Sequence, residues 1–242
     1  MDLAEVVWVV VVVTVSSLAQ SLAGFGFGLL AVPLMTLVID PHQSVIVATM
    51  IGTVSTTLQA VIDRRFCDWS MAKRLAIAAY IGMPFGIFVF LVVSESAMRI
   101  ALGVVVLIAT AVLARGFSFK GRSKSMDWIM GWLSGVLSTS TSTNGPPLVF
   151  LLQARGMEPH VFRATINAVF ALSNVVALAL FGTSGEVATN GIIAAGISLP
   201  FLFLSLKTGY ALRPRVKVDH FRKLVLAMLL LSGISVFSSA FL

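Results

Sequence analysis

Residues 138–147 read Ser-Thr-Ser-Thr-Ser-Thr-Asn-Gly-Pro-Pro, and this polar run lies between two apolar segments. A second interruption, Gly24-Phe25-Gly26-Phe27-Gly28, separates two other apolar segments near the N-terminus. Glycine and proline interrupt helices, whereas Ser, Thr and Asn favour caps and turns over helix interiors. We therefore predict that the chain leaves helical structure at two places within apolar sequence, and that the rest of the chain is organised around these two breaks.

The composition predicts an integral membrane protein built of α-helices. Of the 242 residues, 58% are hydrophobic and 11% are charged, whereas a soluble domain has about 25% charged residues. The alternating segments typical of membrane barrels are missing. The single cysteine excludes an internal disulfide and gives no zinc site. The net charge of +7 lies in short loops between apolar segments, which indicates membrane topology and not a nucleic-acid surface.

Apolar segments and charged loops divide the chain into two similar halves, residues 1–114 and 128–242, joined by a basic linker at 115–127. Each half is predicted to hold a hairpin broken at its tip and three transmembrane helices. A full crossing needs about 20 apolar residues, so the second arm of each hairpin is too short to cross. The predicted hairpins are residues 6–39 and 128–154, and the predicted spans are residues 44–62, 75–93, 98–114, 164–181, 187–206 and 224–242.

The two halves also register as an internal repeat. A shift of 116 residues aligns Pro84-Phe85 with Pro200-Phe201, and Ala48-Thr49 with Ala164-Thr165. The same shift places Gly28 on Asn144. A seven-residue insertion in the last basic loop then aligns Arg99 with Arg222. Because self-similarity at a fixed spacing indicates duplication, we predict two structural repeats.

Loop charge predicts that the second repeat is inverted relative to the first. Lys and Arg concentrate in the loops at 64–74, 115–124, 155–163 and 207–223. The other connections, 40–43, 94–96 and 182–186, are poor in them. The positive-inside rule then places the basic loops in the cytoplasm and both termini outside. Each half has an odd net number of crossings, so the two hairpins enter from opposite faces and their tips approach the midplane.

Each hairpin tip is predicted to present the N-terminus of its second arm. A helix N-terminus has free N–H groups and about half a positive charge, so two of them facing one another make an anion site. Asn144 suits the N-cap of the second hairpin's arm and Pro146 its first turn. Phe25 and Phe27 are expected to wall or gate the site. The candidate binding residues in the tips are Gly24, Phe25, Gly26, Phe27, Gly28, Ser140, Thr141, Ser142, Thr143, Asn144, Gly145 and Pro146.

Polar residues outside the tips have two interpretations, which the sequence leaves open. They line the same cavity, or they bond to their own backbone and mediate helix packing. Arg163, at the start of a span, either attracts anions into the pathway or sets the topology. Gln20, Ser173 and Asn174 carry the same ambiguity. The candidate binding residues outside the tips are Thr49, Thr165, Asn167 and Arg163.

Ionisable residues are predicted to avoid the centres of the spans. All ten carboxylates and all three histidines fall in or beside predicted loops. Cation transport and side-chain proton relays normally place such a group within a span, so the pattern favours an anion. Export of one negative charge from a negative interior gains about 2.3 kcal/mol per 100 mV. The Gly-x-Ser-x-Gly and His-Glu-x-x-His motifs are absent from the sequence, which argues against an intramembrane enzyme.

Several stretches resemble the sulfite exporter TauE/SafE family, also called the 4-toluene sulfonate uptake permease family. In the first half they are Gly24-Phe25-Gly26-Phe27-Gly28 and Ala31-Val32-Pro33-Leu34. In the second half they are Gly131-Trp132-Leu133-Ser134-Gly135, Thr143-Asn144-Gly145-Pro146-Pro147-Leu148-Val149 and Phe162-Arg163-Ala164-Thr165. The resemblance covers nearly the whole chain and implies a secondary transporter of sulfur-containing or organic anions. Many members are glycine-rich where this chain reads Ser-Thr-Ser-Thr-Ser-Thr-Asn, which leaves the substrate open.

The expectation is an all-α integral membrane protein with two inverted repeats that exports sulfite or an organosulfonate across the inner membrane of a bacterium. Its expected partners are the small anion and the lipid bilayer, with no nucleic acid, cofactor or metal. An anion channel and a transporter of another small organic acid are the alternatives. The direction of transport, the coupling ion and a homodimer stay open.

Overall fold

The computed structural model describes residues 1–115, 124–214 and 218–240. Within this part the chain is helical and contains no strand. Most of the predicted linker at 115–127 and the side chain of Arg222 lie outside the described residues, as do parts of the predicted basic loop at 207–223 and the end of the last predicted span. The helices are α1 (Leu3–Ala23), α2 (Phe27–Thr36), α3 (Pro41–Ile62), α4 (Trp69–Val92), α5 (Glu95–Arg115), α6 (Lys124–Thr141), α7 (Gly145–Ala154), α8 (Pro159–Ser184), α9 (Thr189–Leu212) and α10 (Val218–Ser238).

Six of these helices are long and apolar enough to cross a membrane, which confirms the prediction of an all-helical, multi-pass membrane protein. Among the described residues they are α1, α3, α4, α5, α8 and α9. Helix α1 alone has 21 residues, so the first arm of the first hairpin is itself long enough to cross. Helices α2 and α7 have 10 residues each, as short as the sequence predicts for the second arms.

Several of the carboxylates predicted near loops cap helices. Asp2 and Glu5 form a capping box at the start of α1. Asp40 accepts a hydrogen bond from the Gln43 N–H at 2.9 Å, and Asp68 accepts one from the Met71 N–H at 3.0 Å. Each bond satisfies a backbone donor at a helix start that would otherwise have no partner. These acids therefore define where α1, α3 and α4 begin.

The two helix breaks are short, and the second is shorter than the sequence suggests. Gly24 and Gly26 have φ angles of 89° and 98° between α1 and α2, a left-handed conformation that glycine adopts readily. Ser142, with φ of 53°, is the only described non-glycine residue with positive φ. Helix α6 continues to Thr141, so the prediction of a helix-poor run from residue 138 was wrong. Only residues 142–144 separate α6 from α7.

Residues 138–141 stay helical because their hydroxyls bond to backbone carbonyls and because α6 packs closely on α4. The Thr141 hydroxyl donates to the Leu137 carbonyl at 3.1 Å, and the Thr139 hydroxyl donates to the Met83 carbonyl on α4 at 2.7 Å. Gly135 packs against the backbone of Ala79, so close that a Cβ on Gly135 would lie 1.9 Å from the Ala79 carbonyl oxygen. Close packing of α6 on α4 thus outweighs the low helix propensity of Ser and Thr.

The contacts between helix ends show that the connections between helices lie at two faces of the helix bundle. Asp63 at the end of α3 lies 3.5 Å from Arg213 at the end of α9. Asp127 at the start of α6 pairs with Arg74 near the start of α4 and with Arg155 at the end of α7. These ends form what we call the basic face.

The opposite face gathers the other helix ends. Arg99, near the start of α5, donates to the Thr36 carbonyl at the end of α2 at 2.6 Å. The His42 ring, near the start of α3, lies 3.1 Å from the Phe90 carbonyl near the end of α4. We call this side the opposite face. Helix α2 therefore ends at the opposite face and α7 ends at the basic face.

Candidate functional site

The two hairpin tips meet at one small cavity. Residues 26–29 of the first tip and residues 142–145 of the second line it together. Its volume is about 20 Å³, which accommodates about one water molecule. The sequence prediction that the two breaks approach one another agrees with this geometry. The predicted tip residues that line the cavity are Gly26, Phe27, Gly28, Ser142, Thr143, Asn144 and Gly145.

The first tip contributes backbone donors. Helix α2 begins at Phe27, and the Leu30 N–H is the first to bond back, to the Gly26 carbonyl at 3.0 Å. The N–H groups of residues 27–29 precede this bond and have no partner within the helix. The positive end of the helix dipole lies at the same place. The start of α2 therefore has the features of an anion-binding helix terminus.

The second tip relies more on side chains. Helix α7 begins at Gly145, and Pro146 and Pro147 have no N–H, so Gly145 supplies the N–H of this first turn. Asn144 stands at the N-cap position, as predicted, but its side chain makes no capping hydrogen bond. Its carbonyl instead accepts from the Ser134 hydroxyl at 2.9 Å. The donors on this side are therefore mainly the side chains of residues 142–144.

Gly28 and Ser142 hold the two tips together. A Cβ on Gly28 would lie 1.9 Å from the Ser142 carbonyl oxygen, so only glycine allows this approach. The Ser142 hydroxyl also lies 3.0 Å from the hydroxyl of Thr49 on α3. The Thr49 hydroxyl donates to Ser142 Oγ and also lies 2.8 Å from the Val45 carbonyl oxygen, so Ser142 is the acceptor here and keeps its own proton for another partner. Thr49 thus positions Ser142.

Sequence analysis missed part of the cavity wall. Ala48, Gly52 and Thr56 recur every fourth residue along α3 and line one side. The spacing is visible in the sequence, but small residues at this spacing are also the usual signature of helix packing. Gln20 and Asn174, whose role the sequence left open, both line the cavity, and Leu29 and Phe170 complete it.

Other predicted residues lie near the tips but outside the cavity lining. Phe25 packs edge-on against Phe162, with ring centroids 6.1 Å apart, and does not line the cavity as Phe27 does. The Thr165 hydroxyl accepts from the Asp68 N–H at 3.0 Å and anchors the loop between α3 and α4. Those residues of the predicted set that do not line the cavity are Gly24, Phe25, Ser140, Thr141, Pro146, Thr49, Thr165, Asn167 and Arg163.

A buried polar network connects the first tip to α3 and α8. The Asn167 amide donates to the Gly24 carbonyl at 3.2 Å, and its oxygen lies 3.5 Å from the Gln20 amide nitrogen. The Gln20 oxygen accepts from the Ser55 hydroxyl at 2.7 Å, and the Ser55 oxygen accepts from the Gln59 amide at 3.3 Å. Asn167 therefore holds the first break in place and does not face the cavity directly.

Arg163 lies beside the first break. The carbon atoms of its side chain pack over Gly24, so that a Cβ on Gly24 would lie 2.3 Å from the Arg163 Cγ. Its guanidinium interacts electrostatically with Arg213, Asp63 and Tyr210. This arrangement places the cation on the basic-face side of the tips. The cavity itself is lined by neutral residues, so its polarity comes from hydroxyls, amides and helix termini.

Comparison with known proteins identifies the family. The sequence profile described as "Sulfite exporter TauE/SafE" matches residues 9–236. The chain belongs to the sulfite exporter TauE/SafE family. It is also similar to a Cupriavidus necator protein described as "Probable sulfite/organosulfonate exporter TauE", with 22% identity over 223 residues, which cover 89% of this chain and 87% of the relative. No solved structure matches significantly.

Membership confirms the family that the sequence motifs indicate. The TauE/SafE family is one of membrane transporters, and the match extends over both halves of the chain. The second hairpin, the first hairpin from residue 9 onward and the described cavity lie within the matched residues. The chain is therefore a multi-pass membrane transporter.

Proposed function

We propose that this TauE/SafE protein is a secondary transporter that exports sulfite or a related organosulfonate, with the anion bound between the two hairpin tips. The observation that carries the proposal is the shared cavity, where α2 starts at one side and residues 142–145 lie at the other. Backbone N–H groups, hydroxyls and an amide are suitable donors for a sulfur oxyanion. The description of the Cupriavidus relative supports this substrate class.

The helix lengths support a site near the middle of the bilayer. Helices α2 and α7 have 10 residues each, so each is about 15 Å long. That is about half the thickness of the hydrocarbon core. Since α2 ends at the opposite face and α7 at the basic face, their starts meet about halfway between the two faces.

We also propose that the two halves form an inverted repeat. The contacts between them are reciprocal, because α1 packs on α9 and α4 packs on α6. Helix α3 pairs with α8, and α5 pairs with α10. The loop contacts support opposite directions for corresponding helices, since α3 runs towards the basic face and α8 starts there. This relationship supports two tips that reach the site from opposite sides.

The size of the cavity favours a carrier over a channel. A volume of about 20 Å³ has room for one water molecule, and a sulfonate group is larger. We therefore expect the tips to move apart when the anion binds, as in alternating access. A carrier gives saturable flux and counter-transport, whereas a channel gives flux that rises in proportion to the gradient without counter-transport.

Anion-dependent stability tests the binding site. We expect sulfite or sulfoacetate to raise the apparent stability of the detergent-purified protein by about 2.7 kcal/mol at a hundredfold excess over Kd. Chloride at equal ionic strength should have little effect. Ser142→Gly should weaken binding about tenfold or more, since it removes a donor to a charged ligand while keeping a backbone that suits glycine. Thermal unfolding monitored by intrinsic fluorescence measures both effects.

A surface hydroxyl provides the control for this experiment. Thr183→Ala removes an exposed hydroxyl that bonds only to the Leu180 carbonyl among the described residues, and it should leave the anion response unchanged. If no sulfur oxyanion stabilises the wild-type protein, the proposed anion site is wrong. An equal response in Ser142→Gly and wild type would place binding elsewhere.

We propose that the basic face is cytoplasmic, that both termini lie outside, and that the membrane is the bacterial inner membrane. The exposed residues Ser70 and Ser96 report on the basic and the opposite face. In a Cys67→Ser background, an impermeant maleimide should label Ser96→Cys in intact spheroplasts, and Ser70→Cys only after permeabilisation. The reverse pattern would contradict the orientation.

In the wild-type chain, the native cysteine should react slowly with maleimides at neutral pH. Cys67 lies between α3 and α4, and burial raises the pKa of its thiol to about 11, although a hydrogen bond with Thr165 acts in the other direction. Because the thiolate is the nucleophile, a raised pKa lowers the reactive fraction. The labelling rate of Cys67 in permeabilised membranes should rise about tenfold per pH unit until the pH approaches this pKa.

A further inference from the structure

Arg213, at the end of α9, has one guanidinium nitrogen without a described partner. Its Nε donates to the Ser21 carbonyl at 2.7 Å, and its Nη1 lies 3.5 Å from Asp63 Oδ2. The guanidinium also stacks 3.6 Å from the centre of the Tyr210 ring, which fixes its plane. Its Nη2 is buried and makes no hydrogen bond to any described residue. A buried donor without a hydrogen-bond partner is costly, so this nitrogen is suited to an anionic ligand.

A second cation lies next to Arg213. The Arg163 side chain packs over Gly24, one turn from the Ser21 carbonyl that Arg213 contacts. The two positive charges therefore repel each other, and both interact with Asp63. Tyr210 donates its hydroxyl to Asp63 at 3.0 Å. Two guanidinium groups against one carboxylate leave the cluster with a net positive charge. Guanidinium N–H groups form strong, charge-assisted hydrogen bonds to oxyanions, so the free Arg213 Nη2 beside a second guanidinium has the chemistry of an oxyanion site.

A polar stripe joins this cluster to the tip cavity. Along α3, Thr56 lines the cavity, Gln59 is fully buried one turn further, and Asp63 is one turn beyond that. The Gln59 side-chain oxygen is buried and accepts no hydrogen bond from the described residues. Positions 56, 59 and 63 share one face of the helix because they are three and four residues apart. Polar side chains thus continue from the cavity to the basic face.

The corresponding route to the opposite face is apolar. Beyond Asn174, which lines the cavity, the buried residues of α8 are Ala177 and Phe181, one and two turns further along the helix. Near that face the rings of Phe90 and Phe181 pack with centroids 4.9 Å apart, and both side chains are fully buried. The two routes from the cavity therefore differ in polarity, and the polar one reaches the basic face.

We propose that Arg213 Nη2 and the Arg163 guanidinium form a second anion site on the basic face, which takes up the sulfite or sulfonate before it reaches the tip cavity. This inference rests on the proposed function and specifies where the substrate is first bound. An anion held there lies beside Gly24 and Ser21, at the end of α1. The anion then moves along the polar stripe of α3 to the tip cavity. Loading from the basic face corresponds to export if that face is cytoplasmic.

Substitution of either arginine tests the second site in proteoliposomes of phosphatidylcholine. Arg213→Lys keeps a charge beside Asp63 and loses the free guanidinium nitrogen, and Arg163→Gln removes the second cation. For both we expect the KM for sulfite supplied to the basic face to rise about tenfold, with kcat nearly unchanged. Arg65→Gln removes an exposed charge from the same face and should leave KM unchanged.

The outcomes separate this inference from the proposed function. If wild type shows saturable sulfite flux and both variants keep its KM, the second site is wrong and the proposed function stands. If wild type shows no saturable flux of any sulfur oxyanion, the proposed function itself fails. Vesicles with added phosphatidylglycerol test a lipid phosphate as the occupant. Variants that change only the response to this lipid and keep the wild-type KM would overturn the inference.

Discussion

Gly28→Ala should reduce transport at least tenfold. The added Cβ would lie 1.9 Å from the Ser142 carbonyl oxygen and 3.5 Å from its hydroxyl oxygen. The first contact is impossible without a backbone shift, because the obstructing atom belongs to the main chain. The two tips must then separate, which moves the N–H groups of α2 away from the donors of the second tip. Overpacking of this kind costs about 1–3 kcal/mol in addition to the functional loss.

A second helical glycine provides the matched control. Gly196 lies on the exposed side of α9, and a Cβ there would meet nothing within 4 Å. Gly196→Ala should therefore keep wild-type transport, with equal or slightly higher stability, since alanine favours the helix. Initial rates of sulfite flux in proteoliposomes, normalised to reconstituted protein, compare the two variants. Transport by Gly28→Ala at the wild-type rate would contradict the proposed contact between the tips.

The helix breaks were predictable because their cause is local. Gly24 and Gly26 adopt φ angles that disfavour other residues, and Pro146 and Pro147 are compatible with the first turn of a helix but not with its interior. The extent of the second break was not predictable. Thr139 bonds to Met83, which is distant in sequence, so the helicity of residues 138–141 depends on α4.

The candidate site was only partly predictable for the same reason. Residues of the tips were found because polar and glycine-rich sequence is unusual between apolar segments. The wall formed by Ala48, Gly52 and Thr56 has the composition of any packed membrane helix, and only the docking of the tips makes it part of a cavity. Phe25 and Phe27 have the same glycine neighbours in the sequence, but their rings lie in different places. The Phe25 ring packs against Phe162, whereas Phe27 lines the cavity.

Asp127 illustrates a contact that no local pattern predicts. The sequence places it at the edge of the basic linker, where an exposed carboxylate is expected. In the structure its side chain is fully buried at the start of α6. Arg74 from α4 lies 2.8 Å away, and Arg155 from the end of α7 also pairs with it. The three residues are separated by 28 or more positions, so their meeting depends on the complete fold.

Asp127→Ala should destabilise the protein by about 3–5 kcal/mol. The substitution leaves Arg74 and Arg155 close together in a poorly solvated place, with 28% and 17% of their side chains exposed, and removes the carboxylate that binds both. Asp127 also joins the start of α6 to the end of α7, so both arms of the second hairpin loosen from α4. Unfolding in detergent, followed by circular dichroism, measures the loss.

The position of the carboxylate, and not the loss of a negative charge as such, should determine this effect. Glu158→Ala removes an exposed carboxylate just before α8, on the same face, and should change stability by less than about 0.5 kcal/mol. Asp127→Asn keeps the shape and loses the charge, so we expect a destabilisation between those of Asp127→Ala and wild type. If Asp127→Ala were as stable as Glu158→Ala, the buried ion pairs would not hold the second hairpin. Because the tip of that hairpin carries Ser142 to Gly145, the transport rate should fall together with the stability in the Asp127 series and remain unchanged in the Glu158 variant.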